Sequence, residues 1–306
     1  MKGTGPYTML RSYLLLIFCV TVWGSNFVFG TILVREFSPF FLAATRLLFI
    51  TLFLLGYALI TRRLGRVSRK DWGLLFALGI IGVFLNHWTF YQGLVTADPT
   101  TSALILALTP VTTALLAAVF LRERLTPKMI AGSIIATLGV MLVIYNGSAL
   151  QLSVGLLWIG LTMVTFAISI ILVRMLAQRI PPLVTTLYST LIGFGAMIPV
   201  TAINATGWHI SGQLWAWGLL ILTAVLMHGF VTLIWNSQLQ QVGAAKAAMF
   251  SNLEPFVAMI FGYFILDKLV TSQQLLGALF IVGGVTLTTL SKEPSATKKQ
   301  SLKLEC

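Results

Sequence analysis

Ten stretches of apolar residues follow one another along the chain, each about 20 residues long, the length an α-helix needs to cross the hydrocarbon core of a bilayer. They cover roughly 13–34, 40–61, 72–93, 100–120, 128–145, 153–174, 183–203, 215–236, 245–266 and 272–290. The first, "LLLIFCVTVWGSNFVFGTILV", is too long for the apolar core of a signal peptide and no Ala-x-Ala site follows it, so it reads as a span. The pattern predicts an all-α integral membrane protein of ten transmembrane helices with no sizeable soluble domain.

Two of these regions match when laid 145 residues apart, Thr101–Ile144 on Lys246–Leu290. Pro110 then falls on Pro255, Ala103 on Ala248, Gly132 on Gly277 and Gly139 on Gly284, and Glu123 meets Asp267 after a one-residue slip. Because an odd number of spans separates the partners, the two halves would cross the membrane in opposite senses. The expected organisation is two inverted five-helix repeats, 1–146 and 147–291, followed by a basic, disordered cytoplasmic tail, 292–306. Inverted halves of this kind are a transporter architecture. Gly132, Ala136 and Gly139 share one face of the fifth span, and Gly277 and Gly284 one face of the tenth. Small residues there permit close helix approach, within the chain or between the protomers of a homodimer.

Composition agrees with the pattern. Hydrophobic residues make up 58% and charged residues 9%, against about a quarter charged in soluble domains. The net charge of +12 suggests nucleic acid until its distribution is considered. With the N-terminus in the cytoplasm, all the Lys and Arg residues lie on that side except Arg35 and Lys268 outside and Arg46 within a span. This is the positive-inside bias. It predicts a multi-pass protein of the cell membrane, in contact with lipid, with both termini cytoplasmic and no nucleic-acid partner. Cys19 and Cys306 offer neither a disulfide framework nor metal-ligand spacing.

The motifs "WGSNFVFG" in the first span, "ATRLLF" in the second, "LALTPVTTALLAAVFLRERLT" in the fourth and "NLEPFVAMIFGYFILDKLV" in the ninth resemble those of the drug/metabolite transporter superfamily, specifically its EamA-like ten-helix members. The likeness covers nearly the whole chain. It implies a carrier of amino acids, other metabolites or toxic compounds, mostly moving them outward. Asp267-Lys268 stands where the first half has a Glu-Arg pair.

Chemistry deep in the spans is sparse. Glu254 lies mid-span directly before Pro255. A charge at the bilayer centre costs roughly 2.5–3.5 kcal/mol even on the lenient insertion scale. Glu254 is therefore expected to pair with Arg46, to face water, or to be protonated, since burial disfavours the anion. Ser251 and Ala258 would share its helical face, and an acid so placed suits proton coupling or a substrate ammonium group. Pro110 and Pro255 are expected to kink their spans and free the carbonyls of Leu106 and Ser251. His87 and Tyr91 fall on one face of the third span, His228, Thr232 and Trp235 on one stripe of the eighth, and Trp23 and Asn26 in the first. Aromatic groups mixed with hydrogen-bonding groups suit a pocket for a small amphipathic solute; interfacial anchoring is the structural alternative for the tryptophans and tyrosines. The histidines have no second acidic or thiol ligand beside them, so no metal or other cofactor is expected.

The expected function is secondary transport of a small amino-acid-like or amphipathic metabolite by alternating access, as efflux, coupled to protons through Glu254. The alternative is an integral-membrane enzyme acting on a lipid or small solute. Against it, the chain has no H-E-x-x-H, no G-x-S-x-G and no P-loop. A channel or receptor is compatible with the composition but leaves the repeat unexplained.

Overall fold

The computed structural model describes residues 6–62, 65, 67–120, 125–145, 153–177, 179–204, 208–232, 234–235, 238 and 250–290. Over the described residues a helix overlaps each predicted stretch, the eighth and ninth only in part: α1 Pro6–Glu36, α2 Pro39–Ile60, α3 Trp72–Leu94, α4 Pro99–Phe120, α5 Pro127–Ile144, α6 Val154–Leu176, α7 Pro182–Ile203, α8 Leu214–Phe230, α9 Glu254–Leu266 and α10 Ser272–Leu290. Seven, α1 to α7, are long and apolar enough to cross a membrane; α8, α9 and α10 are shorter apolar helices over their described residues. Among the described residues there is no strand, only an isolated antiparallel bridge between Phe37 and Ile210. The chain is an all-α membrane protein. Ala247, Ala248, Glu123, Arg63, Arg66, Arg122, Arg124, Lys246 and the basic tail lie outside the described residues.

Local chemistry sets the helix starts. Asp98, Thr126 and Ser153 cap α4, α5 and α6 by accepting the backbone N–H three residues on, at 3.0, 3.2 and 3.2 Å. Pro39, Pro99, Pro127 and Pro182 occupy first-turn positions, where the missing N–H has no helical partner anyway. A left-handed Asp267, at φ 52°, ends α9.

Pro110 and Pro255 do not kink continuous helices as expected. α4 is interrupted by a turn at Ala107–Leu108, and the corresponding chain turns at Asn252–Leu253 before α9 begins. Each proline therefore sits in the first turn of a new helix and breaks no hydrogen bond. The carbonyl of Leu106 accepts from the Thr109 hydroxyl at 2.6 Å. The turn also separates Ser251 from Glu254, so the expected stripe of Ser251, Glu254 and Ala258 on one continuous helix does not form. Two further irregularities have no counterpart in the sequence reading: α3 is a π-helix over Leu78–Leu85, and α8 over Ala224–Phe230. Both turns and π stretches recur close to 145 residues apart.

The core joins α1, α2, α3, α4 and α6 through Phe27, Leu47, Phe90, Tyr91, Leu104 and Ile159, with Leu220 of α8 and Ala258 of α9 packed into it. α5 and α10 lie against each other glycine to glycine. A Cβ on Gly139 would fall 2.8 Å from the carbonyl oxygen of Gly277, and one on Gly132 would strike the carbonyl of Gly284. Residue numbers rise along one helix as they fall along the other, so α5 and α10 run antiparallel. The small-residue faces read from the sequence thus meet within one chain.

Candidate functional site

Arg46 of α2 is fully buried. Its Nη1 donates to the Thr223 hydroxyl of α8 and its Nη2 to Asn26 Oδ1 of α1 at 3.4 Å. The guanidinium carbon lies 5.4 Å from the centre of the Tyr91 ring of α3, close enough for a cation–π attraction. Nε has no partner. All these neighbours are neutral, and no ion pair joins Arg46 to Glu254 among the described residues. The pairing considered from the sequence does not form.

His87 lies one helical turn before Tyr91 on α3, and His228 a little more than one turn after Thr223 on α8. Their rings are 5.3 Å apart, centre to centre. His87 Nδ1 is 3.0 Å from the carbonyl oxygen of Val83. A carbonyl only accepts, so Nδ1 carries the proton and Nε2 faces away with its lone pair unused in the neutral ring. His87 Nε2 and His228 Nδ1 are both buried without partners among the described residues. They line a cavity of about 260 Å³, walled also by Leu47 and Ile50 of α2, Gly82 and Asn86 of α3, Ser169 of α6, and Thr185, Ser189 and Thr190 of α7. The cavity reaches Ala177 and Pro182, which are exposed at the α6–α7 turn.

The other expected residues lie elsewhere. Trp23 Nε1 donates to the carbonyl of Met227 at 2.9 Å, and its ring is 4.9 Å from Trp235; the pair ties α1 to α8 and does not line the cavity. Glu254 opens α9, half-buried, and is not on the cavity wall. Its backbone carbonyl packs on Gly24, where an added Cβ would be 2.8 Å away. Ser251 precedes the turn and is not on the cavity wall. The structure therefore unites Arg46, Asn26 and Tyr91, and beside them His87 and His228, but leaves Glu254, Ser251, Trp23 and Trp235 outside. Sequence reasoning missed Thr223, Thr185 and Ser189. The last two are spaced i, i+4 on α7, a polar stripe in an apolar helix that was open to reading. Among the described residues no group of three His, Cys, Asp or Glu could hold a metal ion.

A model of the EamA-like transporter family matches residues 10–145 and again 153–290. The chain belongs to the EamA-like transporter family. A Bacillus subtilis (strain 168) relative, "Uncharacterized transporter YyaM", is 31% identical over 95% of this chain and 98% of its own length. An Archaeoglobus fulgidus "Uncharacterized transporter" is 26% identical over 90% of this chain and 98% of its own. A crystal structure sharing 18% identity aligns at a TM-score of 0.63 over 90% of this chain and 96% of that one, and so shares the fold. The likeness read from the span motifs holds, and the EamA-like chain is a membrane transporter by family.

Proposed function

We propose that this EamA-like transporter carries a small metabolite, amino-acid-like or amphipathic, out of the cell by alternating access through the His87–His228 cavity. The observation that carries the reading is a cavity lined by His87 and His228 that extends to exposed Ala177 and Pro182 at the α6–α7 turn. That turn bears Arg179 and lies on the side that positive-inside counting makes cytoplasmic. At the opposite side the loops are tied together. Ser38 N–H donates to the His209 carbonyl at 2.8 Å, Ser211 to Glu36 at 2.6 Å, and Gln274 to Asp98 at 3.4 Å. This is the arrangement of a carrier open inward.

Two inverted halves, 1–146 and 147–291, give a route to the outward state, because each half can adopt its partner's conformation. The antiparallel packing of α5 on α10 supports the inversion, as does the recurrence of turns and π stretches in corresponding places. Glu254, at the break before α9, is the acid assigned to proton coupling; it acts through the movement of α9 against α1 rather than from the cavity wall. The protein sits in the cell membrane with both termini cytoplasmic.

The test is solute flux in proteoliposomes under an imposed pH gradient, wild type against Glu254→Gln. The variant is expected to exchange solute but no longer to accumulate it with the gradient. Normal transport with an unchanged pH response removes Glu254 from the mechanism.

A further inference from the structure

Arg46 is a permanent charge, fully buried, in a protein whose described carboxylates all lie elsewhere. Glu36 is engaged by Ser211, Asp71 by Arg179, and Asp98 by Thr101, Gln274 and Lys268. Glu254 heads α9 and Asp267 ends it. A buried charge without a counter-charge is among the costliest groups a protein can hold, in a membrane above all. Apart from the bond to Thr223, its donors are poorly used. The 3.4 Å contact to Asn26 is beyond the usual range, and Nε has no acceptor. A planar fork with spare donors matches a carboxylate, which takes two of its N–H groups at once.

The cavity is the source from which that carboxylate would come. Leu47 and Ile50, the next residue and the next turn after Arg46, are on its wall. Tyr91 and Thr223, which hold the guanidinium, stand about one turn from His87 and His228, which line it. Arg46 itself is fully buried and stands behind that wall, beside its lining residue Leu47. At about 260 Å³ the space lies just below the usual ~300–1,000 Å³ of drug-sized pockets, so its occupant is small. One fixed positive charge balances one negative charge, which disfavours a phosphate monoester with nearly two. An ammonium group one turn from a buried guanidinium is repelled, which disfavours a zwitterion. His87 Nε2, an acceptor with no donor, suits a hydroxyl on the solute.

We propose that the transported solute is a small monocarboxylate, hydroxylated for preference, and that Arg46 supplies its counter-charge. This rests on the transport reading above and narrows its substrate. The experiment uses the full chain in proteoliposomes with four labelled probes: lactate, lactamide, glycerol phosphate and alanine. Flux is compared for wild type, Arg46→Gln and Arg46→Lys. Lactate is expected to move at least tenfold faster than each of the others in wild type. Arg46→Gln should lose the difference between lactate and lactamide, and Arg46→Lys should keep part of it. If Arg46→Gln fails to fold, the wild-type preference and the lysine variant decide.

Equal flux of lactate and lactamide in wild type overturns the proposal, as does a carboxylate preference that survives in Arg46→Gln. A preference for glycerol phosphate or alanine overturns it too. If no probe moves but solutes of a cell extract exchange across the liposome, the acid assignment is wrong and transport stands. If neither moves, the transport reading itself fails.

Discussion

Gly283 and Gly284, neighbours on α10, form a matched pair for testing how α5 and α10 are held. A Cβ added to Gly284 would lie 2.9 Å from Ala136 Cβ and against the backbone of Gly132, whereas one on Gly283 meets nothing within 4 Å. Backbone atoms cannot swing aside, so Gly284→Ala must push the two helices apart. Overpacking of this kind costs about 1–3 kcal/mol. Replacing a helical glycine by alanine gains up to ~1 kcal/mol at either position, and this gain cancels when the variants are compared with each other. Gly284→Ala should therefore be less stable than Gly283→Ala by about 1–3 kcal/mol, read as equilibrium unfolding of the full chain in mixed micelles by tryptophan fluorescence. Gly139→Ala, whose Cβ would meet the Gly277 carbonyl at 2.8 Å, should behave like Gly284→Ala. The double variant should cost less than the sum, since the first substitution already separates the helices. Variants at 283 and 284 that agree within ~0.5 kcal/mol, the usual error of additivity, would refute the glycine contact as the source of the pairing.

Three further outcomes are expected. Thr109→Val removes the hydroxyl that satisfies the Leu106 carbonyl at the α4 break and should destabilise by about 1–3 kcal/mol, the cost of a buried acceptor left unmade; the same unfolding assay reads it. Asp98→Ala should cost about 0.5–2 kcal/mol as a lost cap, whereas Lys268→Met should cost under ~1 kcal/mol, because its ion pair with Asp98 is 4.0 Å long and largely solvated. Ser38 and His209 are opposed across an antiparallel bridge, where Cα atoms are ~5.5 Å apart and a disulfide fits. Ser38→Cys with His209→Cys, in a Cys306→Ser background, should stop flux on oxidation and regain it on reduction; flux unaffected by the cross-link would mean that these loops never part.

The helix pattern was legible because a membrane span is a local matter of length and polarity. The glycine faces of α5 and α10 were equally legible, since close approach requires small residues at helical spacing and nothing remote. The proline breaks were half legible. Thr109-Pro110 and Glu254-Pro255 carry the mark of a helix start, proline in the first turn. The surrounding residues are apolar on both sides of each turn, however, so hydrophobicity runs on unbroken and conceals the interruption. The π stretches in α3 and α8 left no trace for the same reason. Apolar composition reports what a helix is dissolved in and says nothing of its hydrogen-bond register.

The site divides along a similar line. Arg46 was conspicuous as a lone charge in a span, but its partner Thr223 is 177 residues away and ordinary in its own segment. Long-range docking of α8 on α2 decides that contact, and no local pattern announces it. Glu254 was the stronger candidate on sequence, yet it heads α9 after the turn at Asn252–Leu253 and is not on the cavity wall. What remains is a physical asymmetry within the site. Arg46–Asn26 and His87–Val83 lie inside the first proposed half, while Arg46–Thr223 and the His87–His228 contact cross between halves. Rocking one half on the other must break the crossing contacts and can leave the internal ones intact. An anionic group that replaces Thr223 on the guanidinium would offset that loss at the moment it occurs, so the loaded carrier would rearrange more readily than the empty one. On the proposed alternating-access mechanism, tight coupling between solute and movement would follow from which half each neighbour of Arg46 belongs to.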